Sequence, residues 1–318
     1  MERHSISVSY RLQGMRLDHA IADEIPGFSR RRAKAIIDIG GCYVNGKRVR
    51  IASKTVSKGD KLEVEYNPQL FVSQRQDIEI KPEDILYFEH SVIVINKPAA
   101  LPSQATRDQA VHHVVPLLVK TLKIMGHDIK DLQLVHRLDK DTTGCLILTY
   151  NSNTMTYITE QFKNHQVSKV YHAVAWGIGP AQFEEKCNLS AIQGTTGTVR
   201  VLQAGGKSSH TYFKTLETYP ASKTSLVEAR PVTGRSHQIR VHLEKNNLPI
   251  IGDRVYGEGK RHKLPDDIIQ KVNHQLLHSN SIKFSPAPGI EPVTITAPYR
   301  ENMTEVLEAI RAAEIKLN

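Results

Sequence analysis

The sequence predicts an α+β protein with a mixed but mostly antiparallel sheet flanked by helices. Candidate strands outnumber candidate helices along the 318 residues, and the two do not alternate regularly. Regular alternation is typical of parallel α/β sheets, whereas unbroken runs of strands favour antiparallel pairing. The length suits two domains better than one. We expect a small basic domain over residues 1–70, a linker at 71–82 and a larger domain over 83–318.

The small domain is predicted to contain two helices, a hairpin and a strand. Pro26 ends the first helix, Ser29 is a suitable N-cap for the second, and Gly40 follows its end. An Asn-Gly pair between alternating residues predicts a two-residue hairpin turn. The predicted elements are helices over 16–25 and 30–39, a turn at Asn45-Gly46 and a strand over 61–66.

In the larger domain, alternation of apolar residues predicts strands and a 3.6-residue spacing predicts helices. Pro116 lies inside one helical stretch and is expected to shorten it. The predicted strands cover residues 91–98, 145–150, 169–177, 198–206, 210–218, 224–232, 282–286 and 293–298. The predicted helices cover residues 110–126, 153–166, 236–245 and 301–317.

The charge favours an anionic partner. The chain carries a net charge of +9 and has a pI of about 9.3. Residues 1–65 hold 13 Lys and Arg against 8 Asp and Glu, so +5 of the +9 lies there. Basic residues crowd the N-terminal end of the second helix and oppose its dipole, and phosphate contact would explain this cost. Charge alone leaves nucleic acid and no specific partner equally open.

Several protein classes are excluded by missing patterns. Cys42, Cys145 and Cys187 are scattered without a CxxC pair, which rules out a disulfide scaffold and gives no zinc-site spacing. The chain has no GxSxG or HExxH, and AGGKSSH has Val201 where a phosphate loop needs glycine. No signal core or 18-residue apolar window occurs, so we expect a cytoplasmic protein without a membrane partner.

The stretch VHRLDKDTTG, residues 135–144, concentrates charge between two apolar segments. Arg137, Asp139, Lys140 and Asp141 follow one another closely. A salt-bridged turn closed by its Thr and Gly residues would explain a single such stretch. Two further segments weaken that explanation, because they carry Lys169 and Tyr171 in SKVYHAVAWG and Arg235, His237, Gln238 and Arg240 in TGRSHQIRVHL. Taken singly, they fit a snorkelling lysine, a core tyrosine and a helix with a solvated basic face.

Together these segments resemble the RluA family of RNA pseudouridine synthases that carry an N-terminal S4-like RNA-binding domain. HRLDKDTTG is similar to the family's HRLDxxTSG motif, with Thr143 in place of the usual Ser. NKPAAL resembles NKPxGL, KVY resembles KxY, and TGRSHQIRVHL with LPIIGDRVYG resembles the third motif. Residues 14–65 resemble S4. Ala100 and Cys42 depart from the usual Gly and Val, which affects local turn geometry and no catalytic position.

The resemblance implies that uridine is converted to its C-glycoside isomer without metal or cofactor. The catalytic residues it implies are Asp139, Tyr171, which stacks on the target base, and Arg240, which pairs with Asp139. A carboxylate in a pocket that excludes water needs such a cation to stay ionised. The base must be flipped out, and Arg137 would fill its place or, alternatively, pair with Asp141. Supporting active-site roles fall to Lys169, Arg235, His237 and Gln238.

RNA is the expected partner, and the protein is expected to act as a monomer. Large-subunit ribosomal RNA is favoured, with transfer RNA as the second candidate. Phosphate contacts, which position RNA without reading sequence, are expected from Arg30, Arg31, Arg32, Lys34, Lys47, Arg48 and Arg50. Two other functions stay open: a non-catalytic RNA-binding protein of ribosome assembly, and an unrelated basic hydrolase, for which no nucleophile motif can be found.

Overall fold

The structure is a computed structural model of the chain. It describes residues 2–26, 28–38, 40–66, 78–105, 112–192, 197–257 and 264–317. The chain divides after residue 77 into two compact units. The expected linker lies outside the described residues as far as residue 77. Its last part does not behave as a linker, because Ile80 is buried in the core of the larger unit and Ile78 packs on that core.

The smaller unit packs two helices on a four-stranded antiparallel sheet with strand order β1-β4-β2-β3. Its helices are α1 (Leu17–Glu24) and α2 (Arg30–Asp38), and its strands are β1 (Glu2–Ser7), β2 (Cys42–Val44), β3 (Lys47–Arg48) and β4 (Lys61–Tyr66). Strand β1 was not predicted, because of its six residues only Ile6 is buried. The two helices, the hairpin and β4 are confirmed.

Local chemistry explains where these elements begin and end. Ser29 caps α2 as predicted, since its Oγ accepts the backbone N–H of Arg32 at 3.2 Å. Asn45 and Gly46 both have positive φ angles, 51° and 75°, as a two-residue hairpin turn requires. After α2 the chain passes so close to β4 that a Cβ on Gly41 would lie 2.3 Å from the carbonyl oxygen of Glu65. Only glycine fits there.

The larger unit is built on a sheet of eleven strands among the described residues, with the main order β11-β10-β12-β13-β9-β14-β8-β6-β5. Every pairing is antiparallel except that of β14 with β8. The strands are β5 (Ile85–Glu89), β6 (Val92–Lys97), β7 (Gln133–Leu134), β8 (Thr143–Thr149), β9 (Ser168–Trp176), β10 (Gln182–Leu189), β11 (Val201–Leu202), β12 (Lys207–Tyr219), β13 (Thr224–Pro231), β14 (Leu277–Phe284) and β15 (Val293–Thr296). The helices are α3 (Val114–Ile124), α4 (Ser152–Lys163), α5 (Gln238–Lys245), α6 (Asp266–Ile269) and α7 (Glu301–Leu317).

The sheet is covered on both faces, and alternate residues of each strand serve different cores. On β9, Tyr171 and Ala173 join the core that includes apolar residues of α3 and α5. Val174 and Trp176 join the core under α7 instead. The period of two between inward and outward side chains explains this division. No helix in the described part of the chain is long and apolar enough to span a membrane.

The strands that the sequence analysis missed carry polar residues at buried positions or few apolar ones. Strand β10 reads QFEEKCNL, and the first half of β14 contains the buried His278 and Ser279. The short α6 and strand β5 were also missed. The strand predicted over 198–206 is wrong for most of its length. The strand there is limited to Val201–Leu202, and Gly205 and Gly206 turn the chain with positive φ angles.

Two fully buried histidines should make the larger unit sensitive to mild acid. Burial lowers the pKa of His242 and of His278 to about 4. The unfolded chain protonates its histidines near pH 6.5, so it binds more protons than the folded chain between pH 6.5 and 4. We expect the unfolding free energy to fall by about 2 kcal/mol per histidine from pH 7 to pH 5. Urea titrations followed by fluorescence of the single tryptophan, Trp176, measure this. Equal stability at both pH values would contradict it.

Candidate active site

Asp139 lies in the segment that connects β7 to β8, and backbone anchors hold this segment on both sides of it. Ser103 exchanges two hydrogen bonds with Leu138: its Oγ accepts the Leu138 N–H at 3.0 Å and donates to the Leu138 carbonyl at 2.7 Å. The Lys140 carbonyl accepts a hydrogen bond from Lys97 Nζ at 2.9 Å. The loop geometry next to the carboxylate is therefore fixed by side chains from another part of the chain.

A further anchor follows at Thr142, whose Oγ1 accepts a hydrogen bond from Gln275 Nε2 at 2.7 Å. The anchored residues thus alternate along the segment with Arg137, Asp139 and Asp141. Arg137 is exposed and Asp139 and Asp141 are partly exposed, with 28% of the Asp139 side chain accessible, whereas the anchored Leu138 and Thr142 are buried. The segment closes in a turn, since the Thr142 N–H donates to the Asp139 carbonyl at 3.1 Å. It presents the carboxylate outward while the backbone behind it is held.

Lys97 is the most deeply buried of these anchors, with 0% exposure. Its Nζ donates to the carbonyls of Pro98, Leu101 and Lys140 at 2.7, 2.8 and 2.9 Å. Burial lowers the pKa of Lys97 to about 7, while the charges of Asp141 and Asp139 oppose that shift. Three acceptors match the three donors of an ammonium group. Lys97 thus ties the loop after β6 to the Asp139 segment.

Replacing Lys97 by Met should destabilise the larger unit and slow catalysis, because three carbonyls lose the buried donor that they share. We expect the unfolding free energy to fall by about 3 kcal/mol. Lys120→Met is a matched control, since Lys120 is exposed and its pair with Glu79 at 3.3 Å is on the surface. That control should cost less than about 0.5 kcal/mol. Urea titrations of both variants measure the difference, and equal costs would contradict the role of Lys97.

Arg240 on α5 pairs with Asp139, as the sequence analysis expected. Its Nη1 donates to Asp139 Oδ2 at 2.9 Å. Its Nε and Nη2 donate to the two oxygens of Asp253 at 2.7 and 2.9 Å, so the guanidinium bridges two carboxylates. Burial alone would lower the pKa of Arg240. Its hydrogen bonds to both carboxylates and their charges outweigh burial, so the pKa lies above its usual value. The guanidinium is a permanent cation.

Asp253 was not predicted, although its segment was quoted for the family resemblance. Its side chain is 0% exposed, and its Oδ1 also accepts the backbone N–H groups of Val255 and Tyr256 at 2.9 and 3.1 Å. Burial would raise the pKa of Asp253, yet the hydrogen bond and charge of Arg240 hold it below its usual value. A bidentate pair of this kind fixes the plane of the guanidinium. Asp253 therefore orients Arg240 toward Asp139.

His237 also faces Asp139. It precedes α5 in a left-handed conformation with φ 54°, and its Nε2 lies 3.8 Å from Asp139 Oδ2. Its Nδ1 is 2.9 Å from the hydroxyl of Tyr256, and the Tyr256 ring lies 5.0 Å from the Arg240 guanidinium carbon. Burial lowers the pKa of His237, and the charge of Asp139 opposes this. The geometry thus brings together Asp139, Arg240 and His237 of the predicted residues.

Tyr171 lies on β9, where it is opposite Ala229 of β13 and Ser279 of β14. The side chain is buried. Burial raises the pKa of Tyr171 to about 12, and the charge of Asp139 raises it further. The phenol is therefore neutral at physiological pH, and its ring belongs to the core beside α5.

Gln238 supports the site through the loop before α5. Its Oε1 accepts the Thr233 hydroxyl at 2.7 Å and the Arg235 N–H at 2.9 Å. Its Nε2 donates to the His210 carbonyl at 3.0 Å and to Thr211 Oγ1 at 2.9 Å. All hydrogen-bonding positions of the amide are used, so Gln238 holds this loop against β12.

Three predicted residues are not brought to the carboxylate of Asp139. Arg235 is exposed and donates to the Ser208 carbonyl at 3.0 Å. Lys169 lies 5.9 Å from the Phe162 ring, and burial lowers its pKa. Arg137 is exposed, and no ion pair joins it to Asp141 within the described residues, so that alternative is not realised. A group of three or more His, Cys, Asp or Glu placed for a metal ion is also absent from the described parts.

In the smaller unit, the predicted phosphate contacts differ in their surroundings. Lys34 pairs with Asp38 on α2, and Arg48 Nη2 donates to the Tyr43 hydroxyl at 2.6 Å. The guanidinium of Arg32 packs on aromatic rings 4.4 and 5.0 Å away, those of Phe28 and Tyr66. The side chain of Arg31 lies outside the described structure. The exposed ones are Arg30, Lys34, Lys47, Arg48 and Arg50.

Ala100 stands where the NKPxGL motif usually has glycine, and its φ is 57°. Glycine adopts this left-handed conformation freely, whereas another residue pays about 1 kcal/mol. The turn after β6 is therefore kept despite the substitution. Its geometry is needed, because Leu101 supplies one of the three carbonyls bound to Lys97.

Comparisons with known proteins identify the family of the chain. The RNA pseudouridylate synthase family matches residues 91–245, and the S4 domain matches residues 15–62. The chain is 31% identical to ribosomal large subunit pseudouridine synthase D of Neisseria meningitidis serogroup A, with 97% of this chain and 82% of the relative covered. Identity to ribosomal large subunit pseudouridine synthase C of Vibrio vulnificus is 26%, with 97% and 96% covered.

Among solved structures, human RNA pseudouridylate synthase domain containing 4 has the same fold. The two superpose with a TM-score of 0.59 at 24% identity, over 72% of this chain and 93% of that one. The pairing of Asp139 with Arg240 is the one that the resemblance implies. The chain belongs to the RluA family of RNA pseudouridine synthases and carries an S4 domain in its N-terminal part.

Proposed function

We propose that this RNA pseudouridine synthase isomerises specific uridines in large-subunit ribosomal RNA. The observation that carries the proposal is the chain of contacts from Asp139 through Arg240 to Asp253. It holds one partly exposed carboxylate beside a permanently charged, buried guanidinium. The guanidinium therefore supplies a fixed positive charge directly beside the carboxylate.

The reaction is a rearrangement within one nucleotide. The N1–C1′ bond of uridine breaks, the uracil rotates, C5 bonds to C1′, and the C5 proton is lost while N1 gains one. Asp139 can serve this reaction as a nucleophile or as a base, and both roles need the ionised form. Arg240 and His237 both face Oδ2. Oδ1 has no hydrogen-bond donor among the described residues, so we assign it to the substrate.

Uracil can reach Asp139 only when it has left the base stack, at a cost of a few kcal/mol. We propose that Arg137 enters the space that the base vacates. Two observations support this: Arg137 is exposed, and no ion pair holds it within the described residues. We assign Tyr171 to the flipped base, since its ring stays neutral and lies on the strand beside the site. Lys169, Arg235, His237 and Gln238 support this arrangement.

The ribosomal target is proposed from the two relatives described above, both of which bear the name ribosomal large subunit pseudouridine synthase. The S4 match over residues 15–62 supports RNA binding by the region 1–70, and the synthase match supports catalysis by the region 83–318. We also propose that the protein acts as a monomer. A ribosomal RNA substrate supports a cytoplasmic location.

Exposed basic residues of the S4 region should bind RNA through phosphate. We expect the double variant Arg30→Ala/Lys47→Ala to weaken binding, and the slope of log Kd against log salt should fall by about 1.4, at about 0.7 per lost contact. Lys120→Ala is the control, because that lysine pairs with Glu79 in the larger unit. Filter binding between 50 and 300 mM salt, roughly the range where such slopes are resolved, measures both. An unchanged slope in the double variant would contradict the prediction.

The substrate is tested with purified protein and RNA labelled with tritium at uridine C5. Formation of pseudouridine releases that tritium to water. We expect release from large-subunit ribosomal RNA and none from bulk transfer RNA. Release from transfer RNA alone would overturn the ribosomal target and leave the reaction standing. Binding without release from either RNA would overturn catalysis in favour of a non-catalytic RNA-binding protein.

A further inference from the structure

The ladder between β7 and β8 ends in a hydrogen bond to a side chain. The two strands pair as far as Leu134 opposite Leu148. At the next position the N–H of Val135 donates to the Ile147 carbonyl at 3.2 Å. An antiparallel ladder would return the Ile147 N–H to the Val135 carbonyl. Here the Ile147 N–H donates to Nε2 of His136 instead, at 3.1 Å.

This N–H has no other strand to bond. Ile147 is fully buried, and its carbonyl is directed toward β7. In an antiparallel strand the N–H and C=O of one residue point to the same neighbour, so β6 on the other side offers no acceptor. A buried N–H without an acceptor is costly. The chain leaves the sheet after β7, so its backbone provides no acceptor here. The imidazole of His136 provides that acceptor instead.

An imidazole nitrogen that accepts a hydrogen bond carries no proton, so the ring is neutral with its hydrogen on Nδ1. The surroundings favour this form. The ring lies 5.0 Å from the Phe162 ring of α4. Burial lowers the pKa of His136 to about 3, the charge of Lys169 lowers it further, and a hydrogen bond with the backbone of Arg137 opposes both.

His136 lies where the chain leaves the sheet, three residues before Asp139. Downstream, Leu138, Lys140 and Thr142 are each anchored. We propose that His136 is a positioning residue for Asp139: its neutral imidazole completes the last rung of β7 and β8 and sets the direction in which Arg137 to Asp139 leave the sheet. The inference rests on the proposed function, since the placement of Asp139 matters only if it is catalytic.

Three variants of the full chain test this. His136→Phe keeps a ring on Phe162 but cannot accept the Ile147 N–H, and we expect kcat to fall about 30- to 100-fold, as for a slightly misplaced catalytic group. KM for RNA should change less than about threefold, because the phosphate contacts are intact. His136→Gln places an amide oxygen near the position of Nε2 and should recover kcat to within about fivefold of wild type.

Thr149→Val is the matched control. Thr149 is buried at the C-terminal end of β8, the end that is further along the chain from Asp139. Its Oγ1 donates to the Ser91 carbonyl at 2.7 Å. We expect loss of this hydrogen bond in Thr149→Val, like loss of the Ile147 hydrogen bond in His136→Phe, to lower the melting temperature. The kcat of Thr149→Val should nevertheless stay within about twofold of wild type. If His136→Phe retains as much kcat as this control, or if folded His136→Gln is as slow as His136→Phe, the proposal is overturned. Should His136→Phe not fold, His136→Asn, whose amide is too short to reach, replaces it.

A spectroscopic readout separates this proposal from the proposed function. Two-bond ¹H–¹⁵N spectra, assigned by comparison with His136→Gln, report which ring nitrogen carries the proton. We expect an unprotonated Nε2 at pH 7, and a proton on Nε2 would overturn the inference whatever the activity. If the wild-type chain forms no pseudouridine at all, the proposed function fails and positioning for catalysis fails with it, while the tautomer still reports the hydrogen bond itself.

Discussion

Replacing Asp139 by Asn should abolish pseudouridine formation while leaving RNA binding intact. The amide has the shape of the carboxylate and can still accept a hydrogen bond from Arg240 Nη1, now 2.9 Å from Oδ2. It cannot act as a nucleophile or as a base for uridine. We expect the rate of tritium release to fall by about 10⁴-fold or more, as for other residues that take part in bond making. Filter binding should give a Kd within about threefold of wild type, because phosphate contacts dominate affinity.

Asp141→Asn is the matched control for this experiment. Asp141 is a second carboxylate in the same segment, two residues further on, and no hydrogen bond or ion pair joins it to Arg240 within the described residues. Its replacement should change the rate by less than about fivefold. Equal loss in both variants would point to a disturbed loop and contradict a specific chemical role for Asp139.

Replacing Asp253 by Leu should have the largest effect on stability. Arg240 is 8% exposed and makes two of its three hydrogen bonds to Asp253. Without that carboxylate its charge stays buried with Asp139 as its single described anionic partner. We expect the unfolding free energy of the larger unit to fall by about 3–5 kcal/mol. The rate should fall as well, because the guanidinium is no longer held toward Asp139. Urea titration with tryptophan fluorescence measures the first effect and tritium release the second.

The double variant Arg240→Met/Asp253→Leu distinguishes a buried charge from a general packing defect. Removing both partners of a buried ion pair removes the uncompensated charge, so this variant should be more stable than Asp253→Leu alone. It should nevertheless be inactive, because Asp139 has lost its cation. A double variant no more stable than the single one would contradict the ion pair as the source of the loss.

The sequence was informative where the local pattern and the local structure agree. Helix α2 begins at its predicted cap, the Asn-Gly hairpin has the expected angles, and alternate residues of β9 join two different cores as its letters suggest. The pairing of Asp139 with Arg240 across 101 positions of sequence came from the resemblance alone, since spacing carries no such information. The confirmed fold class likewise followed from the order of elements and not from any one of them.

The remaining parts of the site depend on contacts that no local pattern displays. Asp253 looks like a loop acid after Gly252, and only the fold shows it buried against Arg240. Lys97 looks like a strand-terminal charge, yet its ammonium binds three carbonyls. Ser103 is an ordinary polar residue in the sequence, and its role depends on Leu138 lying opposite. Long-range partners of this kind are set by tertiary structure, which overrides local preference.

The central claim is that the protein isomerises uridine in large-subunit ribosomal RNA and that Asp139 is its catalytic residue. Pseudouridine mapping of total RNA tests it most directly, in cells that lack this gene and carry either the wild-type gene or Asp139→Asn. The account predicts that discrete large-subunit sites vanish without the gene, return with the wild-type protein and stay absent with Asp139→Asn. Return of those sites with Asp139→Asn would contradict the catalytic assignment, and loss confined to transfer RNA would contradict the target.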